Sequence, residues 1–253
     1  MSSPSLREWL SEAPFTLALS SGFFGFFAHV GVLRALEEAG VAPRRVTGSS
    51  AGALAGGLWA AGLSSDVLMR ELCALSRQDF WDPAWGPGFL RGRLFRERVQ
   101  SVLPVQEFAA CRLPLAISVF DVAARRTHVV QGGPLVTAIH ASCSVPVLFH
   151  PVWVEGRAWV DGGVLDRPAL ASVTPDERVL CHHLSSRLPN ARARSALKRD
   201  APRRPSLVAL VCESLPRVDP FHLDAGPRAL ELAWRATTRA LARPVADGLL
   251  CVS

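Results

Sequence analysis

Between Phe15 and Gly52 an apolar run, a turn carrying Gly22 and Gly25, an amphipathic stretch and the pentad Gly48-Ser49-Ser50-Ala51-Gly52 follow one another. That order leaves few foldings other than strand, turn, helix, strand, tight corner, helix. Phe15 to Leu19 has strand-forming residues, and the two glycines let the next turn bend sharply and present N–H groups. From Phe26 to Gly40, Phe26, Val30, Leu33 and Leu36 recur at helical spacing, with Arg34, Glu37 and Glu38 toward the other side. The N–H groups at that helix start suit an anion. Arg45 to Thr47 reads as a strand end, and Ala51 to Ala61, nearly all small or apolar, reads as a buried helix.

At such a corner Ser50 is the candidate nucleophile, Ser49 is structural, and the Ala51 N–H points toward a developing oxyanion. Gly48 and Gly52 relieve the crowding. The pentad alone also fits an ordinary helix start capped by a serine, so its strand-turn-helix context carries the argument.

A length of 253 residues, 49% hydrophobic and 20% charged, suits one globular domain, with a catalytic core over about 13–185 and a basic loop and helical segment over about 186–253. Lys198 is the only lysine, so the net charge of +6 is carried by arginine, and no nucleic-acid-binding motif accompanies it. The six cysteines lie 30 or more residues apart with no metal-ligand spacing. They are expected to be buried free thiols in a reducing, cytoplasmic setting, with no metal or other cofactor. No signal peptide is evident. Ala13 to Leu33 has no formal charge and the length of a membrane span, but glycines, Ser/Thr residues and His29 interrupt it.

Further along, Ser65 caps an expected helix from Asp66 to Leu75. Phe80 to Leu90 carries four aromatics broken by Pro and Gly, as a lid or membrane contact would, or as rings capping the core would. A helix is expected over Arg93 to Leu103, a hairpin from Leu115–Asp121 and Thr127–Gln131, and a helix through His140. Short strands follow around Glu155-Gly156, the second ending in Asp161-Gly162-Gly163. A carboxylate there can face a ligand across a tight bend, although Asp-Gly-Gly is also a common turn. Arg178–Leu184 and Leu207–Val211 read as strands. Arg187 to Arg204, with seven basic residues and one acid, would attract anionic headgroups or form a solvated loop. Pro227 to Leu241 is helical, to pack on the domain or on a second copy.

Taken together, His29-x-Gly31-Val32-Leu33 after the glycine turn, the Gly48–Gly52 elbow, Ala141-Ser142-x-x-x-Pro146 and Asp161-Gly162-Gly163 resemble a bacterial-type patatin-like phospholipase. The resemblance implies a three-layer α/β/α fold with a central, mostly parallel sheet. It also implies a Ser-Asp dyad of Ser50 and Asp161 that cleaves fatty-acyl esters through an acyl-enzyme without a metal. Oxyanion donors would come from the turn at Gly22, Phe23 and Phe24, with Ala51, and Gly162 and Gly163 would support the aspartate. The chain departs from the pattern at Gly25, where relatives carry arginine, and at Phe26, where they carry glycine. Phe23, Phe24 and Phe26 are therefore expected to narrow the pocket or line an acyl channel.

An aspartate of ordinary acidity, with a pKa of about 3.9, is a weak base toward serine, so Asp161 is expected in a largely dry pocket. The resulting expectation is a lipid acyl hydrolase that meets membranes peripherally. Two alternatives stay open. One is a lipid-binding or regulatory protein without turnover. The other is a carboxylesterase triad in which His182, His183 or His222 follows Asp161, although side-chain alternation lets at most one of the adjacent pair enter a site. His29 reads as a hydrogen-bonded core histidine.

Overall fold

The computed structural model describes residues 3–184 and 201–253. In chain order its strands are β1 (Thr16–Leu19), β2 (Arg45–Ser49), β3 (Gly88–Leu90), β4 (Leu115–Asp121), β5 (Arg126–Val130), β6 (Val147–Phe149), β7 (Val152–Val154), β8 (Arg157–Asp161), β9 (Val179–His182), β10 (Leu207–Cys212) and β11 (Leu249–Val252). The helices are α1 (Leu6–Glu12), α2 (Phe26–Glu38), α3 (Ala51–Ala60), α4 (Ser65–Cys73), α5 (Arg93–Val102), α6 (Leu135–Ser142) and α7 (Gly226–Ala240). The fold is mixed α/β, with a central sheet flanked by helices.

Nine strands form that sheet in the order β11-β10-β9-β1-β2-β4-β8-β7, with β5 also paired to β4. From β11 to β4 every pairing is parallel. Strands buried on both faces suit that arrangement, and β1, all four of whose residues are buried, has no polar side to offer water. One face, including Leu17, Leu19, Val46, Ile117 and Leu180, packs with α2, α3, α6 and α7. The other buries Ala18, Cys181 and Ala209 with Leu170, Val173 and Ala201. Every residue of α3 is buried, in keeping with its almost wholly apolar sequence.

Beyond β4 the sheet turns antiparallel, through the expected β4–β5 hairpin and the β7–β8 pair. This change of direction positions the site. Along one edge of β4, Ser118 pairs with Ser49 of β2 and the next residue, Val119, pairs with Asp161 of β8. The C-terminal ends of β2 and β8 therefore meet nearly head to head.

Several local expectations are corrected. Ser64, not Ser65, caps α4, its hydroxyl accepting from the Val67 N–H, because Ser65 turns inward to give its N–H and hydroxyl to Glu37. Phe80–Leu90 contains a strand, since β3 pairs with β6 to make a separate small sheet. Cys181 and Cys212 are buried, Cys111, Cys143 and Cys251 are partly so and Cys73 is exposed; all six are free thiols. The uncharged stretch from Ala13 to Leu33 divides between β1, the turn and α2, and no helix among the described residues is long and apolar enough to cross a membrane. The α7 helix packs on α2, where Trp234 donates to Glu38 and lies under Arg34. Residues 187–200 of the basic stretch lie outside the described residues, whereas Arg204 is anchored on the carbonyls of Thr174 and Glu177.

Candidate active site

Ser50 sits between the last residue of β2 and the first of α3 at φ 52° and ψ −117°. A non-glycine residue held in so rarely populated a conformation requires surroundings that over-determine it. Those surroundings are visible. The Ser50 N–H donates to Ser142 Oγ at 2.8 Å, and Ser142 Oγ donates to the Ser118 carbonyl at 2.7 Å, tying the corner to β4. At Gly52 a Cβ would run into the Leu19 carbonyl of β1, and at Gly162 into the Ser118 carbonyl. Both positions need glycine because another backbone is in the way. Gly48 lies against Gly52 and Ala53, and Gly163 lies against the Ser21 side chain.

Within this corner Ser50 Oγ donates to Asp161 Oδ2 at 2.6 Å, while Asp161 Oδ1 accepts the Gly163 N–H at 2.7 Å. No other hydrogen bond reaches the Asp161 carboxylate among the described residues. Asp161 is 5% exposed and Ser50 7%. Burial pushes the Asp161 carboxyl up to about 6, against the opposing pull of its bonds from Ser50 and Gly163. The dry setting expected for Asp161 is present.

Across from the elbow, the Ser20–Gly25 turn is held from three sides. The Ser21 N–H donates to the Arg167 carbonyl, Ser20 Oγ accepts the Leu184 N–H, and His29 Nε2 bonds the Ser20 carbonyl at 2.8 Å. Leu184 packs directly over Gly22 and Gly25, where any side chain would displace it. Gly25, where the chain departs from the pattern it resembles, is therefore covered by an apolar side chain. The N–H groups of Gly22, Phe24 and Ala51 have no acceptor among the described residues. Phe24 itself holds a positive φ of 54°.

An apolar cleft of about 890 Å³, counting its solvent-open mouth, runs from Ser50 between α3, α4 and α5. Gly22, Phe23, Phe24, Phe26 and Ala51 line it near the serine, and Phe80, Phe95 and Phe149 line it farther along. Polar groups in its wall are few, the Arg98–Glu71 ion pair at 2.7 Å being one. Cys143 also lines the cleft, giving its thiol to the Ser50 carbonyl at 3.2 Å, and burial together with Asp161 keeps that thiol protonated.

No histidine joins the pair. His29 and His182 bond each other through their Nδ1 atoms at 2.8 Å beneath α2, and burial holds His29 down to about 4 and His182 well below its usual value. Because His29 Nε2 faces a carbonyl it carries the proton there, so His182 Nδ1–H is the donor of the shared bond. His183 follows on the alternate side of the strand, and His222 bonds Asp219 at 3.0 Å. Ser118, Ser142 and Leu184, which brace the two turns, carried no signal of their own in the sequence. Ser142 stood within a recognised block without a stated role.

Comparison with known proteins bears on family and fold. The sequence profile described as "Patatin-like phospholipase" matches residues 17–173. An uncharacterised NTE family protein of Mycobacterium tuberculosis is 33% identical over 172 residues, which are 66% of this chain and 48% of the relative. A lysophospholipase of Emericella nidulans, nte1, is 27% identical over 61% of this chain and 11% of its own. The chain thus spans about half the length of its mycobacterial relatives. Among solved structures, VipD from Legionella pneumophila superposes with a TM-score of 0.65 at 14% identity, over 90% of this chain and 66% of that one, a likeness of fold.

Proposed function

We propose, from the premise that this chain belongs to the patatin-like phospholipase family, that it hydrolyses fatty-acyl esters of lipids with a Ser50–Asp161 dyad. The observation that carries the proposal is the direct 2.6 Å contact from Ser50 Oγ to a buried carboxylate. In the first step Ser50 Oγ attacks the acyl carbonyl as its proton moves to Asp161 Oδ2. The tetrahedral oxyanion is held by N–H groups of Gly22, Phe24 and Ala51, at the positive end of α3. The alkoxide leaving group takes the proton from Asp161 and the acyl-enzyme remains. Water then gives a proton to the same oxygen as it attacks, and Ser50 is regenerated with release of the fatty acid.

Two features make a lone aspartate adequate. Its raised pKa, about 6, brings it nearer the operating pH of a base. Its second oxygen, fixed by the Gly163 N–H, keeps the first on Ser50. Substrate class follows from the cleft, whose six phenylalanines suit an acyl chain and leave the ester at Ser50. Family and relatives' names point to the same lipid esters.

The test is hydrolysis of a medium-chain nitrophenyl ester by wild type, Ser50→Ala and Asp161→Asn, with folding followed by circular dichroism. Each folded variant is expected to lose at least about 10³-fold in kcat. Retained activity in Asp161→Asn would overturn the dyad. A fluorophosphonate should label wild type at Ser50, and failure to label would favour a binding protein without turnover.

A further inference from the structure

We propose that the small β3–β6 sheet, with the aromatic stack beside it, is the face by which this protein lies on a bilayer carrying anionic headgroups. The inference rests on the proposed hydrolase only for the direction in which substrate arrives.

The sheet has two sides with different occupants. On the inner side Leu90 is 1% exposed and Phe149 lines the cleft. On the outer side Phe89 is 52% exposed, while Trp85 in the preceding turn is fully in solvent; at the end of the sheet Val147, paired with Gly88, is 81% exposed. Single exposed apolar residues are ordinary, but these are contiguous with more. Trp81 stacks edge-on against Phe89 at 5.6 Å and against Phe221 at 5.8 Å, and Phe221 is 66% exposed. The face thus joins the aromatics of Trp81–Phe89 to Phe221, more than 130 residues on in sequence.

Its polar component selects the partner. The Arg77 guanidinium lies 5.3 Å from the Trp81 ring and 5.4 Å from that of Phe221, with no carboxylate paired to it among the described residues. Arg91, also exposed, follows β3. The nearby acids are occupied: Asp79 closes the Ser76 cap, Asp82 accepts from the Gly92 and Leu94 N–H groups, and Asp219 binds Arg217 and His222. Exposed Trp and Phe interleaved with unpaired arginine is the composition of a headgroup boundary, where rings enter the acyl border and guanidinium meets phosphate. A protein partner would also cover such rings, but it would not place the cleft's apolar wall against a source of acyl chains. Seated this way, the lip lets a chain leave the bilayer along Phe149 and Phe80 toward Ser50.

The experiment is co-sedimentation of the full chain with phosphatidylcholine vesicles, with and without phosphatidylglycerol, for wild type, the double variant Trp85→Ser/Phe89→Ser, and Arg77→Gln. Wild type should bind, more strongly with phosphatidylglycerol. The double variant should bind about tenfold less to both, and Arg77→Gln should lose most of the phosphatidylglycerol increment. Brominated acyl chains should quench wild-type tryptophan fluorescence, and Trp85→Phe should remove much of that quenching. Nitrophenyl ester turnover should be unchanged in Trp85→Ser/Phe89→Ser. Vesicle binding insensitive to the double variant, or quenching insensitive to Trp85→Phe, overturns the proposal. So does a variant that alters only the mass in sedimentation, which would make the face a contact between copies. Wild type that turns over ester but ignores vesicles also overturns it, leaving the hydrolase standing. Wild type that binds through this face without turnover sinks the hydrolase and leaves the docking surface.

Discussion

Around Ser50 the backbones of β1, β2, β4 and β8 approach so closely that one added methyl at Gly52 or Gly162 has nowhere to go, whereas at the β3–β6 lip Trp85 stands wholly in solvent. The two regions border the same cleft and meet different demands. At the elbow a hydroxyl must be held on a carboxylate to within a few tenths of an ångström, which interlocked backbone achieves and side-chain packing alone would not. At the lip the useful property is exposed apolar surface, and a neighbour packed against it would remove that. Tolerance to substitution should therefore differ sharply between them.

The strongest contrast is Gly162→Ala against Trp85→Ala. The first drives a Cβ into the Ser118 carbonyl and should cost about 3 kcal/mol, lowering Tm by roughly 10 °C. The second should stay within about 0.5 kcal/mol in thermal unfolding. Equal, small shifts for both would mean that the elbow has slack the close contacts do not suggest.

Asp161 sharpens the comparison from the side of charge. Its folded pKa of about 6 lies above the ordinary value of 3.8, so the protonated form favours the fold. That contribution is present in full below about pH 4 and is lost as pH rises through 6. At pH 8 the buried carboxylate thus costs stability, and Asp161→Asn should unfold about 2–3 kcal/mol later than wild type, the advantage vanishing near pH 4. The same ionisation should give kcat/KM an acid limb near pH 6. A less stable Asn variant at pH 8 would break the idea that the site holds its charge at the expense of the fold.

A smaller effect is expected at Ser142, whose hydroxyl links the Ser50 N–H to β4. Ser142→Ala should lose about 1–2 kcal/mol of stability, because a buried N–H loses its acceptor, with turnover falling more than KM changes.

Most of the strands and helices of the sheet were legible in the sequence because their signals are local. The apolar run Phe15–Leu19, the 3.6-residue repeat in α2 and the small-residue run of α3 each describe an element by its own spacing. Glycine corners are local too, and so Ser50 is legible from the pentad together with the strand and helix that flank it. By contrast β3, β6 and β11, three or four residues long, have no pattern of their own strong enough to mark a strand. Ser65 reads as a cap from its neighbours alone, but Glu37, 28 residues away, takes its hydroxyl.

What the sequence determined by itself was therefore the elbow, its candidate nucleophile and the alternation of strand and helix that makes a parallel sheet. Asp161 was marked by resemblance and by its Asp-Gly-Gly turn, which many surface loops share. Only the tertiary structure decided that β8 runs antiparallel along β4 and ends where β2 ends, carrying a carboxylate to a serine 111 residues away. It also decided that His29 and His182 bond each other, and His29 the Ser20 carbonyl, and that neither reaches the Ser50–Asp161 pair. The physical reason is common to both. Register between distant strands is set by packing across the whole sheet, and no short window of sequence contains it.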